Sequence, residues 1–248
     1  MTRPTVAIAP DAAALARVAA DYIVRASPER EGPFSVALSG GSTPRPLYEL
    51  LASEEYRGAV RWKDWHVFFT DERAVPPNHP DSNFGMVDRL LLSRVPLPPG
   101  HVHRMRGEAE DLFAAAEEYE QELSAANGVG GGASVPGLDL VLLGIGDDGH
   151  TASLFPGTEA LREEDRWVVA NYVPGLGARR LTLTYPTFAA ARRVALLVAG
   201  EAKAETVRRV LAGDAGLPAT KAATHPRAVL LLDRGAASAL GAEWRGVS

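Results

Sequence analysis

Short apolar, β-branched runs alternate along the chain with longer segments whose apolar residues recur at helical spacing. The runs predict strands over 6–9, 35–38, 66–70, 138–143, 167–171, 180–184, 193–198 and 229–232, each too short to be a typical helix. Between them, Asp11 is placed to cap a helix carrying Leu15, Val18, Tyr22 and Ile23 on one face. Thr43 at N-cap and Pro44 at N1 predict the start of another, and 108–126 and 201–211 read as amphipathic helices. This alternation predicts an α/β fold with a mainly parallel sheet. The stretch NGVGGGASVPG, residues 127–137, reads as a surface connection inside a single domain spanning 1–248 rather than as a boundary.

Composition narrows the function classes. With 248 residues, 46% of them hydrophobic, the chain can bury a large core. A net charge of -5 and a pI near 5.7, without a basic run, give no footprint for nucleic acid, so an anionic ligand would need a local cluster. There is no cysteine, which excludes disulfides, thiolate nucleophiles and Cys-based metal sites. The N-terminus lacks a signal-peptide core, and no window approaches the roughly 20 apolar residues of a membrane span. A soluble cytoplasmic protein without membrane partners is expected and, with no heptad seam, a monomer.

Ligands of parallel sheets gather where strands end, and four strand ends here are unusual. Ser39-Gly40-Gly41-Ser42-Thr43-Pro44 offers two glycines, hydroxyl donors and a following helix N-terminus, a setting suited to phosphate but also to a plain capped turn. Thr70-Asp71-Glu72-Arg73, followed by Asp81-Ser82-Asn83, gathers carboxylates and a guanidinium, either a site or a solvated ion pair. Arg179-Arg180 precedes Leu-Thr-Leu-Thr, and Lys203 falls in the first turn of the helix after 193–198, where its charge adds to the positive helix end. Each of these also reads as surface charge.

The fourth end, LLGIGDDGHTASLFPG, spells G-x-G-x-x-G through Gly144, Gly146 and Gly149. A dinucleotide turn needs a pyrophosphate against a helix N-terminus and an acidic ribose ligand about 20 residues on. Here Asp147 and Asp148 would repel the pyrophosphate, Pro156-Gly157 stops the next segment, and the following strand ends at Asn171 without an acid. The nucleotide reading fails. What remains is Asp148 two residues from His150, with Gly144 and Gly146 turning the chain off the strand and Gly149 permitting a close approach. A carboxylate beside an imidazole fixes its tautomer and favours a general base, although a capping histidine would share the spacing. The other histidines (His66, His79, His101, His103, His225) lack this setting, and His101-Val-His103 has no third ligand nearby in sequence to suggest metal.

Together SGGSTP, TDER with DSN, GIGDDGHTASLFPG, RLTLT and GEAKAE, in this order, resemble the 6-phosphogluconolactonases from about Val6 to Leu240. The resemblance implies a Rossmann-like fold related to glucosamine-6-phosphate deaminases and ribose-5-phosphate isomerases. It implies hydrolysis of 6-phospho-D-glucono-1,5-lactone, a small-molecule substrate, in the oxidative pentose phosphate pathway, with no cofactor and no metal. Carried over by position, the catalytic histidine is His150 and its supporting aspartate Asp148, with Asp71 and Arg73 in the active site. Gly40, Gly41, Ser42, Thr43, Asn83 and Arg180 are then substrate-binding, Arg179 remaining an alternative to Arg180, and Lys203 matches a phosphate-binding lysine of the deaminases. Two departures separate the chain from those deaminases: they carry a glutamate where this chain has Phe155, and tend to read D-E-Y where it has Asp71-Glu72-Arg73. A sugar-phosphate sensor of a transcription regulator, the rival of another class, would carry a DNA-binding helix pair and need not keep Asp148 and His150; the first strand already starts by Val6.

Overall fold

A computed structural model describes residues 3–27, 32–126 and 137–244. In chain order it holds β1 (Thr5–Ala9), α1 (Ala12–Ala26), β2 (Phe34–Leu38), α2 (Arg45–Leu51), α3 (Glu54–Arg57), β3 (Trp65–Phe69), β4 (Asp71–Arg73), α4 (Asn83–Leu90) and α5 (Leu112–Ala126). Then follow β5 (Leu140–Leu143), β6 (Val168–Val173), β7 (Ala178–Leu183), α6 (Tyr185–Ala190), β8 (Val194–Val198), α7 (Ala204–Leu211), α8 (Pro218–Ala223) and β9 (Ala228–Asp233). The 127–136 part of the Gly-rich connection lies outside the described residues.

Six strands form one parallel sheet in the order β1-β9-β8-β5-β2-β3. Alternate residues serve opposite faces: Leu140 and Leu142 of β5 join a core with α1, α2 and α4, while Val141 and Leu143 join one with α5, α6, α7 and α8. A sheet buried on both faces needs continuous apolar strands, which is why these read as unbroken runs. Burying one leucine or valine side chain contributes about 1.5–3 kcal/mol, so both faces hold the sheet firmly. No helix among the described residues is long and apolar enough to cross a membrane.

The sheet also sets the place of the site. From β2 the chain continues outward to β3, and from β5 it continues the other way to β8, so β2 and β5 are neighbours whose connections diverge. At such a switch point the two following loops part and leave a crevice at the C-terminal strand ends.

The structure corrects several expectations. The strands predicted at 167–171 and 180–184 are β6 and β7 of a separate antiparallel sheet, order β4-β7-β6. Its third member is Asp71–Arg73, which the sequence predicts only as a strand end because three polar residues give no apolar alternation to find. Thr70 splices the two sheets, its N–H donating to Leu38 O (2.9 Å) and its carbonyl accepting from Leu183 N (2.8 Å). Asp11 does cap α1, accepting from Ala14 N at 2.8 Å. Thr43 caps nothing: α2 begins at Arg45 with Pro44 at the N-cap and no side-chain cap bond, which leaves the Ser42 and Thr43 side chains on the loop. The 108–126 helix starts only at Leu112, where Asp111 accepts from Phe113 N and Ala114 N. Lys203 ends a 3-10 turn, Glu201–Lys203, ahead of α7.

Candidate active site

The crevice between the β2 and β5 loops holds a cavity of about 220 Å³. Gly40, Gly41, Ser42 and Thr43 form one wall, held by the buried Tyr48 hydroxyl, which donates to Ser39 O at 2.6 Å. Gly40 is required there because a Cβ would lie 1.7 Å from Asn83 Oδ1, and Gly41 has the positive φ (+90°) that side chains disfavour.

The opposite wall carries His150. Its Nδ1 lies 2.6 Å from Asp148 Oδ1, and its backbone N–H donates to the same oxygen at 3.0 Å. A carboxylate only accepts, so Nδ1 carries a proton, and Nε2 has no hydrogen-bond partner among the described residues. Burial pushes the Asp148 carboxyl up, but the bonds from the His150 N–H and ring outweigh it and bring it below the usual value. Gly146 makes room for the pair, since a Cβ there would sit 2.0 Å from His150 Nδ1. Gly149, at φ +78°, approaches Leu217 rather than a ligand.

The floor is cationic. Arg73 on β4 and Arg180 on β7 are register partners. Like charges directly opposite one another destabilise a sheet, and the buried Asp71 offsets one of them. Asp71 is itself committed, accepting from Ser153 Oγ at 2.6 Å, Asn83 Nδ2 at 3.2 Å and Thr70 Oγ1 at 3.3 Å. Burial lowers the Arg180 pKa against the pull of Asp71. The Nε atoms of Arg73 and Arg180 and the Oδ1 of Asn83 are buried without a hydrogen-bond partner, and all three residues line the cavity. Native interiors rarely leave such atoms unpaired, so a ligand with both anionic and hydroxyl groups fits this floor.

The structure therefore brings together Gly40, Gly41, Ser42, Thr43, Asp71, Arg73, Asn83, His150, Arg180 and Lys203, with Asp148 behind the histidine. Arg180 faces the cavity, whereas Arg179 is exposed on the alternate position of β7. Lys203 lies at the rim with its Nζ 2.5 Å from Asp147 Oδ1.

Sequence reasoning gave no role to three residues, although Glu72 lay in a candidate segment and Phe155 marked a departure from the deaminases. Glu72 is buried and accepts from Asn83 N (2.7 Å), Phe84 N (2.8 Å) and Ser82 Oγ (3.0 Å), fixing the α4 N-terminus and thus Asn83; burial nonetheless raises its pKa. Ser153 orients Asp71, and its only sequence signal was membership of the GIGDDGHTASLFPG stretch. Phe155 stacks on His150. The other histidines need correction too: His79 has Asp81 at 3.8 Å and His103 has Glu122 at 3.4 Å, so a carboxylate neighbour is not peculiar to His150. Among the described residues no three His, Asp or Glu side chains are placed to share a metal ion.

A family profile described as glucosamine-6-phosphate isomerases/6-phosphogluconolactonase matches residues 10–231. A 6-phosphogluconolactonase of Nostoc sp. is 41% identical over 201 residues, covering 80% of this chain and 81% of that protein. Among solved structures, a 6-phosphogluconolactonase from Trypanosoma cruzi superposes with a TM-score of 0.84 at 31% identity, covering 97% of this chain and 98% of the other. A monomeric glucosamine-6-phosphate deaminase superposes with a TM-score of 0.80 at 26% identity, covering 95% and 99%. Family profile and sequence identity agree, and the chain belongs to the glucosamine-6-phosphate isomerase/6-phosphogluconolactonase family.

Proposed function

We propose that the protein hydrolyses 6-phospho-D-glucono-1,5-lactone to 6-phospho-D-gluconate in the oxidative pentose phosphate pathway. The observation that carries this reading is an imidazole with one nitrogen held by Asp148 and the other free, facing a floor with two unpaired guanidinium Nε atoms. One end of the cleft suits proton transfer and the other an anion.

A δ-lactone is already an activated ester, so a positioned general base suffices and no covalent nucleophile, metal or cofactor is needed. Neutral His150 accepts a proton at Nε2 from water as the water oxygen attacks C1. Asp148 stabilises the resulting imidazolium. The tetrahedral intermediate collapses, the C1 to ring-oxygen bond breaks, and His150 returns its proton to the departing oxygen. Arg73 or backbone donors stabilise the oxyanion. The Gly40–Thr43 loop and Arg180, with Lys203 at the rim, hold the 6-phosphate, so that binding at a remote group positions the reacting carbon. Asn83 presents an acceptor to a sugar hydroxyl.

The alternative on this scaffold, deamination of an amino-sugar phosphate, calls for a glutamate five residues after the histidine to assist ring opening, and Phe155 stands there instead. A coupled assay with fresh lactone, run in parallel with glucosamine 6-phosphate, separates the two. His150→Ala is expected to lower lactone turnover by about 10²–10⁴-fold, the usual worth of a positioned base. Near-normal turnover above spontaneous hydrolysis would sink the mechanism.

A further inference from the structure

Two groups that line the cleft share one support. The His150 ring lies 4.0 Å from the Phe155 ring, centroid to centroid, at an interplanar angle of 22°. The Arg180 guanidinium carbon lies 5.7 Å from the centroid of that same ring. Phe155 is buried behind both side chains, and it is not among the residues lining the cavity. Its backbone is held in turn: Phe155 O accepts from Thr158 Oγ1 at 2.8 Å, and Thr158 Oγ1 accepts from Asn171 Nδ2 of β6 at 3.1 Å.

From this geometry we propose that Phe155 is a positioning residue for the reaction, setting the plane of the His150 imidazole and the place of the Arg180 guanidinium from one aromatic ring. The inference rests on the lactonase reading above. The bond from Nδ1 to Asp148 fixes one edge of the imidazole but not its plane, and a nearly parallel ring fixes the plane. A guanidinium is drawn to an aromatic face by the ring quadrupole, an attraction that strengthens where water is excluded. An aliphatic side chain of similar size fills the space but offers neither flat surface nor quadrupole. Burial alone would be kept, while both alignments would be lost.

The test compares Phe155→Leu and Phe155→Met with Phe155→Tyr, which retains the ring. Misplacement of reacting groups by a fraction of an ångström to 1 Å costs one to two powers of ten, so the aliphatic variants are expected to lose about tenfold in kcat/KM. The loss should be divided between a lower kcat, through His150, and a higher KM, through Arg180, and the tyrosine variant should recover most of it. A second readout needs no turnover: an imidazole no longer held in plane turns Nδ1 away from Asp148 for part of the time, so long-range 15N–1H spectra of ligand-free enzyme should show one His150 tautomer, protonated at Nδ1, in the parent and Tyr forms, and a tautomer mixture in the Leu and Met forms. Unchanged kcat/KM and an unchanged tautomer in an aliphatic variant would overturn the proposal. So would equal impairment of the Leu and Tyr forms with the tautomer preserved, which would mark Phe155 as packing alone. If the parent enzyme does not hydrolyse the lactone, the functional reading fails, and the spectra still decide whether Phe155 positions His150. Should the Leu form not fold, the Met form carries the same comparison.

Discussion

His150 and the histidines at the outer edge of β3 are the same side chain in contrasting surroundings. His66, His101 and His103 stack with ring centroids 4.1 and 5.3 Å apart, and His66 Nδ1 meets His103 Nε2 at 3.0 Å. His101 Nδ1 meets Trp65 O at 3.0 Å, and His103 Nδ1 faces Glu122. His103 thus has contacts on both nitrogens, and the stack fastens the 99–103 segment along β3, where His103 N also donates to Val67 O at 2.8 Å. His150 has the same kind of carboxylate neighbour as His103, but its Nε2 has no partner among the described residues and the residue lines a cavity that Arg73 and Arg180 also line. A carboxylate beside a histidine therefore does not make a base. In the proposed mechanism the free second nitrogen and the cationic cavity make the difference.

The sharpest way to break this contrast is to disturb His150 without touching it. Gly146→Ala places a methyl on top of the imidazole, at 2.0 Å from Nδ1, so ring and Asp148 must separate. Turnover of the lactone is expected to fall by about 10²-fold at nearly unchanged thermal stability, measured by steady-state rates and a melting curve. A fully active Ala variant would show that the pair is not needed.

A smaller effect is expected at the anion end. Arg180→Gln removes a charged donor, and charge-assisted bonds are worth about 1.5–3 kcal/mol, so the KM for the lactone should rise roughly tenfold or more with a lesser change in kcat. The exposed Arg179→Gln should change neither constant, and initial-rate titrations of the two variants side by side distinguish them.

The smallest effect belongs to the histidine stack. Burial, followed by the charges of His101 and His103, lowers the His66 pKa. The unfolded chain then takes up a proton at higher pH than the folded one. The contribution is therefore full above the ordinary histidine value of about 6.5 and is lost as the pH falls from there toward the folded value. His66→Gln should flatten the slope of stability against pH in that window, read by urea unfolding at several pH values, with lactone turnover at neutral pH unaltered.

The parallel sheet was legible because strands buried on both faces must be continuously apolar, and β5 reads Leu-Val-Leu-Leu. The antiparallel sheet was half hidden. Asp71–Arg73 is too short and too polar to announce a strand, since its residues answer to the site on one side and to β7 on the other. In the site, residues that change the local chain rules stood out: paired glycines at Gly40-Gly41, and acids in a loop that otherwise spelled a nucleotide turn. The contacts of Ser153 and Phe155 did not, because each meets a partner supplied by folding, Asp71 across 82 positions in the first case and Arg180 from β7 in the second. Thr43 misled because a hydroxyl before proline is a common helix start, whereas α2 opens a residue later and leaves the loop to line the cavity.

The central claim is that base and anion site are opposite ends of one cleft, and the product reports on both at once. A crystal structure with 6-phosphogluconate bound should place its C1 carboxylate within hydrogen-bond reach of His150 Nε2 and its phosphate against the Gly40–Thr43 loop and the Nε of Arg180. Product bound in the reverse sense, with the phosphate at His150 and the carboxylate on the arginines, would contradict the account.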